Sequence, residues 1–536
     1  MIILEAKGIE KRIGDRLLFK ADHLRVGERD RIGIVGRNGA GKTSLLSILA
    51  GVVEPDHGRV WTSSSHQVIP QLKKEDTLQE TTKSGGEITM LYIEQAFAVN
   101  PDIVFADEPT MNLDVERIKQ LEQYFLNFIG AIVVISHDRT FLDTVCNVIW
   151  EVDAAKVTVY KGTYSDYYQQ KQLEKRQHQE RYEDYVRKRS DLERAVLLKQ
   201  NKAQGMLKAP KRMSSSEAKL AKDKKGTTQA GVHQSIKALE TRIEKLERVE
   251  KPREATQVKI DLPNELSFKN QTIIRLDRLV AKLEDRTLWQ DVSLRIRFGE
   301  KVALNGANGS GKTTLLKKII NQEAGVHIAP GCKLGYFSQN LDILKPDLTI
   351  IDNVRASSIH PDPFIRTVLA RLLFTRDDIY KRVEMLSGGE RVRVAFAKIF
   401  LSDMNVLIMD EPTNFLDIES VEALEQLIKG YSGTVLFVSH DRQFVERTAT
   451  RVLEITKEVV VSYDGTYKEY EESGKRHGAG QRDNDKEELL IVEMKLAEVM
   501  SKLGDPLTSA RAKDDLEAEF QRLIQQRKEL RTLIER

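Results

Sequence analysis

The chain has 536 residues, 40% of them apolar and 31% charged, and a formal net charge of +3. That length exceeds what one hydrophobic core organises, so two or more domains are expected, and the near-balanced charge excludes a uniformly basic nucleic-acid binder. Two distant cysteines, Cys146 and Cys332, exclude a disulfide framework, while the lack of a charged-then-apolar leader or of a long apolar run argues against a signal peptide or membrane span.

The first informative element is Ile32-Gly-Ile-Val35, an apolar run that predicts a buried strand. It leads into Gly36-Arg-Asn-Gly-Ala-Gly-Lys-Thr43, and Ser44-Leu-Leu-Ser-Ile-Leu49 then reads as a helix. Strand, glycine-rich loop and helix in that order make the phosphate-binding pattern GxxxxGK[ST]. Gly36, Asn38, Gly39 and Gly41 are expected to bring backbone N–H groups round phosphates at the helix N-terminus, with Ser44 beside them. Lys42 reaches the β- and γ-phosphates and Thr43 binds Mg²⁺. Gln71 is expected in a loop that senses Mg²⁺ and water. Phe105-Ala-Asp107-Glu108 ends another buried strand, where Asp107 suits the Mg²⁺ shell and Glu108 can polarise the attacking water. His137 follows the strand Ile132–Ile135 and is placed to contact the γ-phosphate.

From Ser165 to Ala255 the composition changes. Glycine and proline become sparse, and Tyr182, Tyr185, Leu192 and Val196, then Ile236, Leu239, Ile243 and Leu246, fall at helical spacing. The pattern predicts an antiparallel helical hairpin with arms of about 40 residues, roughly 60 Å long, and a turn within Gly205 to Gly231. The segment holds 23 basic and 14 acidic residues, and the tip, Asn201 to Ala230, holds 8 and 2. A long arm with a basic end suits insertion among phosphates; a solvated helix surface is the plain alternative.

The same elements then return. Gly306, Asn308, Gly309, Gly311, Lys312, Thr313 and Thr314 repeat the loop at an offset of 270 residues. Gln339, in Gly335-Tyr-Phe-Ser-Gln339, takes the place of Gln71. Ser387-Gly388-Gly389-Glu390 repeats Ser84-Gly85-Gly86-Glu87 at an offset of 303, and Asp410, Glu411 and His440 repeat Asp107, Glu108 and His137 at the same offset. The first copy is therefore 33 residues shorter between its loop and its Ser-Gly-Gly-Glu motif. A glycine-rich turn, two acids capping a helix or a histidine after a strand would each have a structural explanation alone. Recurrence in one order selects the chemical reading. Beyond Ser473–Gly480, which reads as a joint, Lys486 to Arg536 is predicted helical, split at Gly504-Asp-Pro506.

With these motifs, and Asn112-Leu-Asp114 and Asn414-Phe-Leu-Asp417 after the acids, about two-thirds of the chain resembles the ATP-binding-cassette superfamily. The resemblance implies an α/β fold: two tandem P-loop cassettes joined by the long antiparallel helical hairpin, with a C-terminal helical extension. The expected domains are 1–164 (a shortened cassette), 165–262 (the hairpin, its basic tip near 205–231), 263–472 (the second cassette) and 473–536. It implies ATP and Mg²⁺ as ligands and ATP hydrolysis as the activity. It also implies a monomer whose cassettes sandwich nucleotide, Lys42 with Ser387–Glu390 and Lys312 with Ser84–Glu87. Lys83 stands where the family has Leu before the first Ser-Gly-Gly-Glu, and Ile13 and Leu283 stand where it has a base-stacking aromatic, which leaves the choice between ATP and GTP open.

Three occupations fit two cassettes: a ribosome-binding factor of the ABC-F type, a transporter ATPase subunit, and a DNA-repair or chromosome-associated protein. Paired complete motifs, the absence of a membrane segment, and the hairpin introduced by Tyr160-Lys-Gly-Thr-Tyr164 resemble the ABC-F family. Within it, Pro70-Gln-Leu-Lys73, Thr82–Glu87, Asn201-Lys-Ala-Gln204, the short first cassette and the C-terminal helices are similar to the Vga-type resistance proteins. That likeness implies a cytoplasmic protein with no membrane partner. It would enter the exit site of the bacterial 70S ribosome when ATP-bound, meeting P-site tRNA, 23S rRNA and the peptidyl-transferase centre. There it would displace lincosamides, pleuromutilins and streptogramin A; a housekeeping translation factor is the alternative. Met206, Leu207, Lys208, Lys211, Arg212 and Met213 are the candidate tip contacts, and packing of the turn explains the Met and Leu residues equally well.

Overall fold

A computed structural model describes residues 1–71, 85–111, 113–207, 231–249, 271–283, 286–338, 341, 343–456, 458–470 and 523. They divide into two compact units, one of Met1–Leu72, Leu91–Pro109 and Glu122–Gln257, the other of Lys73–Met90, Thr110–Leu121 and Val258–Arg536.

The first unit is built on strands β1 (Ile2–Ile13), β2 (Arg16–Gly27), β3 (Arg31–Gly36), β4 (His57–Thr62), β5 (His66–Ile69), β6 (Ile103–Asp107), β7 (Ala131–Ile135), β8 (Val148–Asp153) and β9 (Lys156–Lys161). They form one sheet in the order β4-β1-β2-β9-β8-β3-β7-β6-β5. Strands β5, β6, β7, β3 and β8 run parallel. Every residue of β6 and β7 is buried, as unbroken apolar runs in a parallel sheet require. Leu45, Leu46 and Leu49 of the helix Lys42–Leu49 join Phe19, Phe105 and Trp150 in the core. Each such aliphatic side chain contributes roughly 1.5–3 kcal/mol by leaving water.

In the second unit, β10 (Thr272–Leu283), β11 (Arg286–Arg297) and β13 (Val326–Ile328) form a sheet of three antiparallel strands. A second sheet, ordered β14-β15-β16-β12-β17-β18 and parallel except for its edge strand β18, uses β12 (Lys301–Gly306), β14 (Leu334–Phe337), β15 (Val406–Asp410), β16 (Thr434–Val438), β17 (Arg451–Thr456) and β18 (Val459–Asp464). In the first unit a single Lys20↔Lys156 pairing joins the corresponding two parts into one sheet. In the second, Gln290 N–H donates to the Glu458 carbonyl at 3.1 Å, and the two sheets stay distinct. The second unit also carries the helices Ile350–Arg355 and Asp362–Arg371, which share a core with the helix Gly388–Phe400 through Ile350, Val354, Val368, Leu369 and Phe396.

One helix, Tyr164–Leu207, forms the first arm of the expected hairpin. Its 44 residues span about 66 Å. It takes in Gly205 and ends at Leu207; the rest of the expected turn region, 208–230, lies outside the described residues. Among the described residues the second arm is helical over 231–244. Leu246, expected in its seam, instead closes a tight i→i−3 turn onto the Ile243 carbonyl. Among the described residues no helix is long and apolar enough to cross a membrane. The expected C-terminal helices, apart from Leu523, lie outside the described residues.

Candidate nucleotide-binding sites

Each phosphate loop leaves the C-terminal end of a central parallel strand. Its first glycine is compelled by the neighbouring strand. Gly36 has φ 149°, and a Cβ there would lie 2.3 Å from the Val152 carbonyl oxygen; Gly306 has φ 144°, with the Ile455 carbonyl oxygen 2.9 Å away. Lys42 Nζ donates to the carbonyls of Gly36 (2.9 Å) and Arg37 (3.2 Å), and Lys312 Nζ to those of Gly306 (2.7 Å) and Ala307 (3.1 Å). Burial pulls the Lys312 ammonium down, against the raising influence of Glu411 and Asp410. Thr313 Oγ1 donates to Asp410 Oδ2 at 2.9 Å, and Thr43 bonds Asp107 likewise. Thr314, like Ser44, sits one residue further into its helix.

Asp107 and Asp410 end β6 and β15 and are buried. Burial pushes both carboxyls up, and the threonine bond and loop lysine partly offset it. The next residues, Glu108 and Glu411, take left-handed backbone conformations at φ 51° and 49°. Such positions cost about 1–3 kcal/mol and persist where the surroundings over-determine them. Here they are fixed by N–H bonds to the Ile135 (2.9 Å) and Val438 (3.0 Å) carbonyls. The Oε2 atoms accept from the backbone N–H of His137 (3.2 Å) and His440 (3.3 Å), and each Oε1 lies 3.3 Å from the same histidine's Nε2. Burial raises both glutamates to about 7, although the loop lysines pull the other way. Burial and the Lys312 charge push His440 down to about 4.

The first site opens as a cleft of about 270 Å³. It is lined by Asn38, Gly39, Gly41, Lys42, Thr43 and Ser44 of the loop and helix, by Gln71, Asp107, Glu108 and His137, and by the aliphatic Ile13, Leu18 and Ile135. Nearly every first-copy residue expected to meet the phosphates is thus gathered at one place. Ser387 caps the helix Gly388–Phe400 through a capping box, Ser387 N–H donating to Glu390 Oε2 at 2.9 Å, with Gly388 and Gly389 in its first turn. Gly85, Gly86 and Glu87 open the equivalent helix Gly85–Ala98. Ser84, Gln339, Lys208, Lys211, Arg212 and Met213 lie outside the described residues, as do the side chains of Met206, Leu207 and Leu283.

Four residues beside the histidines, repeated in the sequence as Ser136-His-Asp-Arg139 and Ser439-His-Asp-Arg442 but given no role there, help place them. Asp138 and Asp441 cap the following helices by accepting from Phe141 and Phe444 N–H, both at 2.9 Å. Ser136 and Ser439 accept from the N–H groups of those aspartates at 3.1 and 3.2 Å, and Ser439 Oγ bonds Thr413 Oγ1 at 3.0 Å. The signal was available as Ser-His-Asp twice, two cap-forming residues around the histidine.

The ABC transporter family model matches residues 19–83 and 289–414. An erythromycin resistance ATP-binding protein, MsrA of Staphylococcus epidermidis, is 30% identical over 84% of this chain and 96% of its own length. The ribosome protection protein VmlR of Bacillus subtilis is 29% identical over 98% of each chain. ABC transporter F family member 2 of Arabidopsis thaliana is 29% identical over 82% of this chain and 73% of its own.

Proposed function

The chain belongs to the ABC-F family of ATP-binding-cassette ATPases, and we propose that within it the protein protects bacterial ribosomes from peptidyl-transferase drugs. The helix Tyr164–Leu207 carries the proposal: it runs for about 66 Å, and its last residues open the basic segment 201–230 of the sequence. The likeness to MsrA and VmlR supports the same reading. In it, ATP closes the two cassettes over nucleotide and the protein, cytoplasmic and without a membrane partner, enters the exit site of the 70S ribosome. The hairpin meets P-site tRNA and 23S rRNA, and its tip dislodges lincosamides, pleuromutilins or streptogramin A.

The chemistry follows from the sites. Loop N–H groups and Lys42 or Lys312 hold the triphosphate, trading loop carbonyls for phosphate oxygens. Thr43 with Asp107, and Thr313 with Asp410, present a hydroxyl and a buried carboxylate side by side, which fits an oxygen-seeking Mg²⁺ shared with phosphates. Held there, Mg²⁺ would supply positive charge against that developing on the phosphate oxygens as ADP leaves. Glu108 and Glu411 take the proton of the attacking water at a carboxylate oxygen. His440 steadies Glu411 through its backbone N–H, which leaves the one N–H of its neutral ring for donation to the γ-phosphate. Ile13 lines the first cleft with an aliphatic side chain where the family has an aromatic one, which leaves the choice between ATP and GTP open.

The double variant Glu108→Gln, Glu411→Gln is expected to stay on 70S ribosomes with ATP and to leave as salt rises. Absence from the ribosome pellet under every nucleotide condition would reject the proposal. Unchanged inhibition by all three drug classes in an expressing host would favour a housekeeping translation factor.

A further inference from the structure

Glu151 lies on β8 in register with Val35, the residue before Gly36, and is buried. Its carboxylate is filled from the root of the long helix. Tyr167 Oη donates to Oε1 at 2.7 Å; Lys171 Nζ and Tyr160 Oη donate to Oε2 at 3.0 and 3.2 Å. The Tyr160 and Tyr167 rings meet edge-on at 5.0 Å, and the Lys171 ammonium sits 5.9 Å from the Tyr160 ring. Burial and the facing carboxylate push the Tyr167 phenol far up, so it remains a donor. Burial draws Lys171 down, but its bond to Glu151 outweighs this and holds it above its ordinary value.

A second tie lies at the helix start. Ser165 N–H donates to Asp143 Oδ1 at 2.6 Å, and Asp143 belongs to the helix Arg139–Val145, whose cap Asp138 follows His137. The root is therefore fastened on one side to the strand beside the phosphate loop and on the other to the segment that holds the histidine. The second copy repeats the aromatic set: Tyr463 and Tyr470 meet at 6.0 Å, and Tyr467 and Tyr470 at 5.8 Å. It has Glu454 for Glu151 but Gly474 for Lys171. The lysine is thus particular to the copy that launches the long helix.

We propose that Glu151, with Tyr167 and Lys171, is a positioning device that sets the direction of the helix Tyr164–Leu207 and makes it follow the nucleotide state of the first site. The inference rests on the reading that this helix is the working arm. Its test does not need a ribosome. In the full chain carrying Glu108→Gln, Glu411→Gln and Cys332→Ser, spin labels go on Tyr92→Cys and Val186→Cys, both exposed, and pulsed EPR distances are read with and without ATP and Mg²⁺. An intact root gives one narrow distribution that moves with ATP. Glu151→Ala and Lys171→Met are expected to widen it at least twofold and abolish the movement; Glu151→Gln, which keeps the phenol bonds, falls between. ATP turnover of the same root variants with both catalytic glutamates present stays within twofold of the parent. Lys171→Met and Tyr167→Phe carry the test if Glu151→Ala does not fold. A narrow, ATP-responsive distribution in Glu151→Ala or Lys171→Met overturns the proposal, as does an intact root that ignores ATP. Loss of ribosome binding with the ATP-dependent movement preserved would sink the ribosomal reading alone.

Discussion

In the first copy Leu91 and Tyr92 are 37% and 45% exposed; at the equivalent places in the second, Val394 and Ala395 are fully buried. The difference follows from length. The second copy has 33 more residues ahead of that helix, and its helices Ile350–Arg355 and Asp362–Arg371 cover the face. Yet the catalytic geometry hardly differs: the glutamate–histidine separation is 3.3 Å in both, and the glutamates adopt φ 51° and 49°. Strand ends, loop glycines and helix caps set the reacting groups, while the helical lobe varies around them. Duplicated chemistry in unequal housings gives each copy a control in the other.

The strongest challenge to that equivalence is kinetic. Glu108→Gln and Glu411→Gln should each lower turnover at their own site by about 10²–10⁴-fold, the usual worth of a positioned base, measured as phosphate release with the other site silenced. A large loss from one and none from the other would show that only one site is catalytic. Next comes packing. Phe396, buried and stacked on Phe337 at 4.4 Å, should cost about 3–5 kcal/mol as Phe396→Ala. Tyr92→Ala on the open face should cost about 0.5 kcal/mol or less; denaturant midpoints compare the two. Equal costs would mean that the first copy's face is covered.

A smaller effect is expected with pH. The bases must be ionised, and burial raises both to about 7. The kcat/KM of each isolated site should therefore be flat above neutrality and fall about tenfold per unit below it. A midpoint near the ordinary carboxylate value, at either site, would show that water reaches that glutamate. Smallest is a cap in the helical lobe of the second copy: Thr349 accepts from Asp352 N–H at 3.2 Å at the start of Ile350–Arg355. Thr349→Ala should cost about 1 kcal/mol and leave first-site turnover unchanged; a change there would mean that the lobe does shape the chemistry.

Both phosphate loops were legible because their pattern is local: apolar strand, spaced glycines, lysine, helix. The parallel strands were legible as unbroken apolar runs such as Ile103–Asp107. The reversed backbone of Glu108 was not, since it comes from hydrogen bonding to β7, far along the chain. Glu151 in Trp150-Glu-Val-Asp153 looks like an ordinary outward-facing charge, and only the helix packed upon it reveals burial. The exact end of the long helix was not legible either: a glycine weakens a helix by only about 1 kcal/mol, so Gly205 still falls inside Tyr164–Leu207.

The loop lysines have one more implication. Each ammonium already rests on the carbonyls of its own loop, within 3.2 Å in both copies. Those bonds fix the end of a long, rotatable stem at the loop, so pairing with a phosphate costs less side-chain freedom than it would for an untethered lysine. A resting site of this kind resembles a cocked latch: the ordering was done when the chain folded, and what remains for the nucleotide is the attraction.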